Sequence, residues 1–263
     1  MTFKTIVITG ASSGIGAALA AHYAGPGISL YLTGRDKQRL DKIVNTCRER
    51  GANAEGKILD VCDEAAMNRF LKSIDDTTPV DLVIANAGIS GGTGEGEPES
   101  AGQVRQIFNV NVNGVLNTIQ PLIPAMIRRG RGHIAIIASL AGYRGFPGAP
   151  AYCASKAAVK VYGEALRGSL AGAGVGVSVV CPGFVKSRMT AVNEYSMPLL
   201  MDTDKAAKII ADGLAKNKGR IAFPLPTAFF SWLFMTLPDG LTQMILRRLP
   251  GKSALEDLGR PED

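Results

Sequence analysis

Only two histidines, His22 and His133, occur in the 263 residues, and the four cysteines, Cys47, Cys62, Cys153 and Cys181, form no CxxC pair. Ligands this sparse predict no metal cluster. The cysteines read as reduced thiols of a cytoplasmic protein, not as a disulfide framework. The chain has no run of about 18 uninterrupted apolar residues, so no membrane-spanning helix is expected. The N-terminal MTFKTIVITG passes straight into a strand and a glycine turn, and no signal peptide is expected. Basic residues outnumber acidic ones, 29 to 23, for a net charge of +6. They are scattered until the C-terminus, without a basic arm or an aromatic–basic alternation. This argues against nucleic-acid binding and for mild attraction to an anionic ligand or surface. No repeat or linker divides the chain, and its length suits one domain with a substantial core.

What is present is a regular alternation of strands and helices. Apolar, β-branched runs predict strands at Lys4 to Thr9, Ile28 to Thr33, Asn53 to Leu59, Asp81 to Ala85, His133 to Ala138, Val175 to Cys181 and Arg220 to Phe223. Helical patterns lie between most of them, including Asp36 to Arg50, Asp63 to Thr77, Pro150 to Ala171 and Asp204 to Lys216. Ser100 to Arg129 reads as one long helix kinked at Pro121 and Pro124. Within it, Asn109, Asn111 and Asn113 are poor mid-helix residues, and one of them is expected to face inward. The rhythm predicts βαβ units: an α/β, doubly wound parallel sheet of about seven strands in a single Rossmann-type domain, residues 1–223. Residues 224–263 form an apolar-aromatic C-terminal extension. Ile89 to Ser100, with four glycines and three glutamates, reads as a surface loop. Lys186 to Met201 lacks periodicity and follows a strand's carboxyl end, where ligands bind in such sheets. It is the expected substrate lid.

Three stretches carry chemistry. Thr9 to Gly16, TGASSGIG, sits between a strand and a helix. Gly10, Gly14 and Gly16 allow a tight turn and let a phosphate approach backbone N–H groups at the helix start, where Ser12, Ser13 and Ile15 also lie. Gly34-Arg35-Asp36 ends the second strand. An acid there grips a ribose 2′-hydroxyl, whereas an Arg accommodates a 2′-phosphate. Arg35 comes first, which points to NADP(H) over NAD(H). The third stretch is Ser139 to Lys156, SLAGYRGFPGAPAYCASK. Tyr152 and Lys156, four apart on a helix, share a face, and a cation beside a phenol lowers the phenol's pKa. Tyr-x-x-x-Lys alone is a weak signal and needs this context.

In that context the chain resembles the short-chain dehydrogenase/reductases, over about Lys4 to Phe223. TGxxxGIG matches Thr9 to Gly16. The adenine-side Asp matches Asp60, followed by Val61. The NAG motif matches Asn86, Ala87 and Gly88, and the NxNxxG pattern puts the family's catalytic Asn at Asn111. Ser139 lies 13 residues before Tyr152, and the PG motif is Pro182-Gly183, with Val185 beyond it. Where the family often has a Thr for the nicotinamide carboxamide, this chain has Ser187. The resemblance implies reversible hydride transfer between NADP(H) and a carbonyl or secondary alcohol, with no metal. Tyr152 would be the general acid/base and Ser139 a hydrogen-bond donor to the reacting oxygen. Lys156 would tune Tyr152 and bind the nicotinamide ribose, and Asn111 would hold a water. A homodimer or homotetramer built on the two long helices is also implied. The rival readings are a non-catalytic NADP(H)-binding sensor or scaffold, an NAD-dependent alcohol dehydrogenase, and epimerisation or dehydration on the same fold.

The segment Pro224 to Leu237, PLPTAFFSWLFMTL, holds the only Trp and is followed by Arg247, Arg248 and Lys252. It is either a core-capping or subunit-interface segment, or a membrane-surface element at the inner face of the membrane. The substrate itself is not legible. Tyr143, Phe146, Met189 and Met197 suggest an apolar pocket, although a lid packed on the core would give the same pattern.

Overall fold

The computed structural model describes residues 1–94, 98–191 and 197–246. Seven strands form one parallel sheet in the order β3-β2-β1-β4-β5-β6-β7. They are β1 Thr5–Ile8, β2 Ser29–Gly34, β3 Asn53–Ile58, β4 Leu82–Ala85, β5 Gly132–Ile137, β6 Val175–Pro182 and β7 Arg220–Phe223. The order reverses between β1 and β4, which leaves a crevice at their carboxyl ends.

Period-two alternation divides the apolar side chains between the two faces. Ile6, Ile8, Leu82, Ile84, Ala135 and Val180 face one core, shared with α1 (Gly14–Tyr23), α2 (Lys37–Glu49) and α9 (Thr203–Ala215). Val7, Val83, Ile134, Ile136, Val177 and Val179 face the other, shared with α3 (Glu64–Thr77), α5 (Gly114–Ile119), α6 (Ile123–Arg128) and α7 (Pro150–Leu170). A buried Leu or Ile contributes about 1.5–3 kcal/mol. Exposed pairs such as Lys37–Asp41 and Lys208–Asp212 contribute about 0–1 kcal/mol. The two cores therefore dominate stability.

Helix starts follow local chemistry. Asp36 and Asp63 cap α2 and α3 by accepting from Arg39 N and Ala66 N, each at 2.9 Å, and Ser100 caps α4 (Ala101–Phe108). The expected long helix from Ser100 to Arg129 is in pieces. Between α4 and α5 runs a π-helical turn, Asn109–Asn113, and the chain opens again before α6, which carries Pro124 in its first turn. The expectation of a surface loop at Ile89 to Ser100 fails in its first half. Ser90 is buried, Gln103 Nε2 donates to Gly92 O at 2.9 Å, and Thr93 N donates to Gly148 O at 3.1 Å. These bonds hold the backbone against α4 and the approach to α7.

Among the described residues of the lid is one helical turn, α8 (Arg188–Ala191). Residues 192–196 of the expected lid lie outside the described residues. Beyond β7 the tail forms α10 (Leu225–Thr236) and α11 (Asp239–Leu246). Among the described residues no helix is long and apolar enough to cross a membrane.

Candidate active site

All seven strands run the same way, so their last residues meet at one edge. After β1, Gly10 takes φ +66°, a conformation that suits glycine. A Cβ on Gly16 would lie 2.4 Å from Gly10 O, so turn and helix can touch only without side chains. Asn86, at the end of β4, braces the turn: its Nδ2 donates to Thr9 O at 2.9 Å and Gly10 O at 3.1 Å. The N–H groups of Asn86 and Ala87 donate to Thr9 Oγ1. Asn86 therefore reaches any ligand chiefly through the turn it holds. Ser13 precedes α1 without a side-chain cap bond, and no acid lies in the first turn. The leading N–H groups of α1 are thus arranged for an anion. Ile15 packs against the core behind the turn. Across the turn, Ser187 Cβ stands 3.3 Å from where a Cβ on Gly14 would be. Ser12 packs against Gly34 at the end of β2, with its Oγ 3.1 Å from a Cβ built there.

Arg35 is exposed at this end of β2. Asp36 is committed elsewhere: one oxygen caps α2 and the other pairs with Arg39 at 2.8 Å. After β3, Asp60 Oδ1 accepts from Cys62 N at 2.9 Å, and Val61 is buried against Gly114. Asn117 fixes that segment by donating to Val61 O at 2.9 Å. Sequence reasoning missed Asn117, and its only sign was one more Asn in a helix already rich in them.

The π turn sorts the three asparagines. Asn109 and Asn113 pair with each other at the surface, while Asn111 is fully buried. Asn111 accepts from Ile89 N at 2.8 Å, donates to Ile89 O at 2.9 Å and donates to Ser155 Oγ at 3.0 Å. Ser155 in turn donates to Tyr152 O at 2.8 Å, so it joins Asn111 to α7 between Tyr152 and Lys156. Ser155 too was missed, although it lies inside the Tyr-x-x-x-Lys motif.

Pro150 opens α7 and puts Tyr152 and Lys156 on one face. Tyr152 is half-buried. The Lys156 ammonium lies 5.9 Å from the centre of its ring and donates to Ile137 O at 2.9 Å. Lys156 is enclosed, and loss of solvent pulls its pKa from 10.5 down to about 8. A Cβ on Gly88 would sit 3.2 Å from Asn111 Oδ1 and 3.3 Å from Lys156 Nζ. The bare glycine thus keeps open the place where these two groups converge. Ser139, also half-buried, follows β5. Its Oγ accepts from Ala141 N at 3.1 Å, starting a 3-10 turn, Leu140–Gly142. Gly142 presses that turn onto α7: a Cβ there would come within 2.8 Å of the Lys156 backbone. Glu99 Oε2 accepts from Ala151 N at 2.9 Å and caps the start of α7.

Pro182 and Gly183 leave β6, where Gly183 N donates to Phe223 O at 2.7 Å. Buried Val185 pairs with Met201, which ties the two ends of the lid segment together. Tyr143 and Phe146, expected in an apolar pocket, both line a hollow beside the start of α7, and the ring of Tyr143 is largely buried. Its ring lies 5.2 Å from Lys160 Nζ and 5.8 Å from Arg220 Cζ, and its hydroxyl bonds with Cys181. Two cations seek its electron-rich face.

The family model for short chain dehydrogenases matches residues 4–196. A protein of Myxococcus xanthus described as an uncharacterized oxidoreductase is 37% identical over 250 residues, 95% of this chain and 98% of that one. A short-chain dehydrogenase from Sphingobium yanoikuyae in complex with NADPH superposes with a TM-score of 0.78 at 26% identity, covering 97% of this chain and 99% of that one. A short-chain dehydrogenase/reductase from Burkholderia phymatum in complex with NAD gives 0.79 at 28% identity, with 95% and 97% covered. This chain belongs to the short-chain dehydrogenase/reductase family of oxidoreductases.

Proposed function

We propose that the protein is an NADP(H)-preferring oxidoreductase that interconverts a carbonyl and a secondary alcohol, with Tyr152 as the proton donor and acceptor. The observation that carries this reading is the desolvated ammonium of Lys156 beside the Tyr152 ring, at a gap lined by Gly88 and Asn111. The residues fit a dinucleotide: the start of α1 is uncapped, Gly14 and Gly88 present bare backbone, and Ser187 faces the glycine turn. When bound, NADP(H) supplies or accepts the hydride. In the reducing direction Tyr152 gives its proton to the carbonyl oxygen. Ser139 hydrogen-bonds the same oxygen and stabilises the charge that develops on it. The Lys156 cation favours the phenolate left behind. Asn111 holds the chain around Ile89 and Ser155 so that the Tyr152 hydroxyl can be reprotonated from the solvent side. A positioned acid of this kind is worth about 10²–10⁴-fold. Tyr152→Phe should therefore remove most turnover, followed by NADPH absorbance over a panel of carbonyls, while NADPH still binds by fluorescence titration. Full activity in that variant rejects the assignment.

The preference for the 2′-phosphate rests on Asp36, whose two oxygens are already engaged, and on the exposed Arg35. kcat/KM should favour NADPH over NADH in the wild type, and Arg35→Ala should narrow that ratio. A wild-type preference for NADH contradicts the argument. Cytoplasmic location and a homodimer or homotetramer belong to the same reading. The second is supported by Phe108 and Val161, apolar side chains left exposed on the neighbouring α4 and α7. We also divide the chain at Phe223 into catalytic domain and extension.

A further inference from the structure

We propose that α10 and α11 form a plateau that docks on the surface of an anionic phospholipid bilayer, with Phe229, Phe230 and Trp232 immersed among the lipids. Three observations lead there, and none depends on the catalytic reading.

The first is how little of α10 the protein covers. None of its residues is buried: Leu225 is 79% exposed, Phe229 and Phe230 are each 56% exposed, and Trp232 is 46% exposed. Met235 on α10 and Leu241, Met244 and Ile245 on α11 are exposed as well. A water-facing helix should show an apolar stripe and a polar face, yet α10 is apolar around most of its circumference. Contact with a second protein copy would cover one side of it. A bilayer interface surrounds the side chains that enter it. At 12 residues the helix spans about 18 Å, too short to cross a bilayer core and long enough to lie in its surface.

The second is charge. From Ile221 to Leu246 the only ionisable side chain is Asp239, and its carboxylate is held by Arg144. The plateau thus presents no unpaired anion. Immediately after it the sequence supplies Arg247, Arg248 and Lys252, with no acid before Glu256. An apolar surface with adjoining cations matches the chemistry of anionic headgroups.

The third is anchorage. Thr242 and Leu246 are fully buried, so α11 is fixed to the body while Leu241, Met244 and Ile245 stay exposed. Arg144 belongs to the segment between Ser139 and Tyr152 and also reaches Thr242. A hollow of about 420 Å³ lies between that segment, the start of α7 and Gln243. Docking would therefore set the segment that precedes Tyr152 at the lipid surface.

Trp232 is the single Trp of the chain, so its fluorescence reports on the plateau alone. The experiment uses the full chain without cofactor or substrate, so a failed reductase assay leaves it untouched. Vesicles of phosphatidylcholine with phosphatidylglycerol should pellet the protein and shift Trp232 emission to the blue, and brominated acyl chains should quench it. Pure phosphatidylcholine vesicles should bind less. Phe229→Ser with Phe230→Ser should weaken binding by about a hundredfold, with the melting temperature unchanged. Arg247→Gln with Arg248→Gln should weaken it by about tenfold or more and make the remaining binding less sensitive to salt. Unchanged emission with the protein left in the supernatant overturns the proposal. So does an emission shift that follows protein concentration and ignores lipid, which assigns the plateau to a second copy.

Discussion

The two ends of strand β5 each hold a buried nitrogen base, and they do opposite things with it. At the carboxyl end Lys156 Nζ rests on Ile137 O, open toward Tyr152 and the gap at Gly88. At the amino end His133 lies fully buried, with Nε2 2.8 Å from Ser178 Oγ. Ser178 donates its own proton to Lys218 O, so the His133 Nε2–H is the donor in that bond. Desolvation pushes both bases toward neutrality, Lys156 from 10.5 to about 8 and His133 from 6.5 to about 4. The shift alone therefore does not identify a catalytic group. What separates the two is the neighbourhood. Lys156 meets a half-buried phenol and bare glycine backbone. His133 meets a serine that locks strands together and Phe3, whose ring centre lies 5.5 Å away.

The largest expected effect breaks this symmetry at the carboxyl end. Lys156→Met should lower turnover about 10²–10⁴-fold without lowering the denaturation midpoint, because removing the ammonium relieves a desolvation cost of about 3 kcal/mol. A variant that loses activity and several kcal/mol together would make Lys156 a structural residue like His133.

The amino end should reveal itself in stability against pH. His133 is neutral in the fold, while the unfolded chain takes up a proton below 6.5. Stability is thus full above that value, and about 3 kcal/mol is lost as pH falls toward 4. Lys156 acts with the same sign in another window: the fold gives up its proton near 8 and the unfolded chain near 10.5, so stability rises between them. Denaturant titrations of wild type and His133→Gln across pH 4 to 7 check the first window. A slope that survives in the variant removes His133 as its source.

The smallest effect sharpens the contrast. Ser178→Ala should cost about 1–2 kcal/mol by leaving His133 Nε2 unpaired, and it should leave kcat and KM unchanged when activity is followed by NADPH absorbance. A shift in kcat would mean that the two ends communicate.

Sequence reasoning succeeded where chemistry is local. The β7 limits, the helix starts near Asp36 and Asp63, and the glycine turn all depend on neighbours a few residues away. It failed where partners are distant in the chain. The inward place of Asn111 was expected, but its bond to Ile89 was not, nor the bond of Asn117 to Val61 or the cap of Glu99 on Ala151. In each pair a side chain seeks a backbone group, which any residue type offers, so composition leaves no mark. Tyr143 shows both sides of this limit. It lines a hollow with Phe146, as an aromatic in the segment before Tyr152 suggests, while the cations Lys160 and Arg220 at its ring are placed only by the fold.

The π turn has a consequence for how the chain tolerates changes in length. A helix that bonds five residues back uses more chain per turn than one that bonds four back. Deleting Val112 would let α4 and α5 join as one continuous α-helix, a regular structure with no strain of its own. Each residue turns an α-helix by about 100°, so without Val112 the joined helix would bring Val115 back to nearly the same face as Ile107, and Asn111 would stay near that face; all three are buried in the protein. The wide turn thus absorbs one residue without changing the phase of the turns on either side. The extra residue acts as slack between two segments whose inward faces are already aligned.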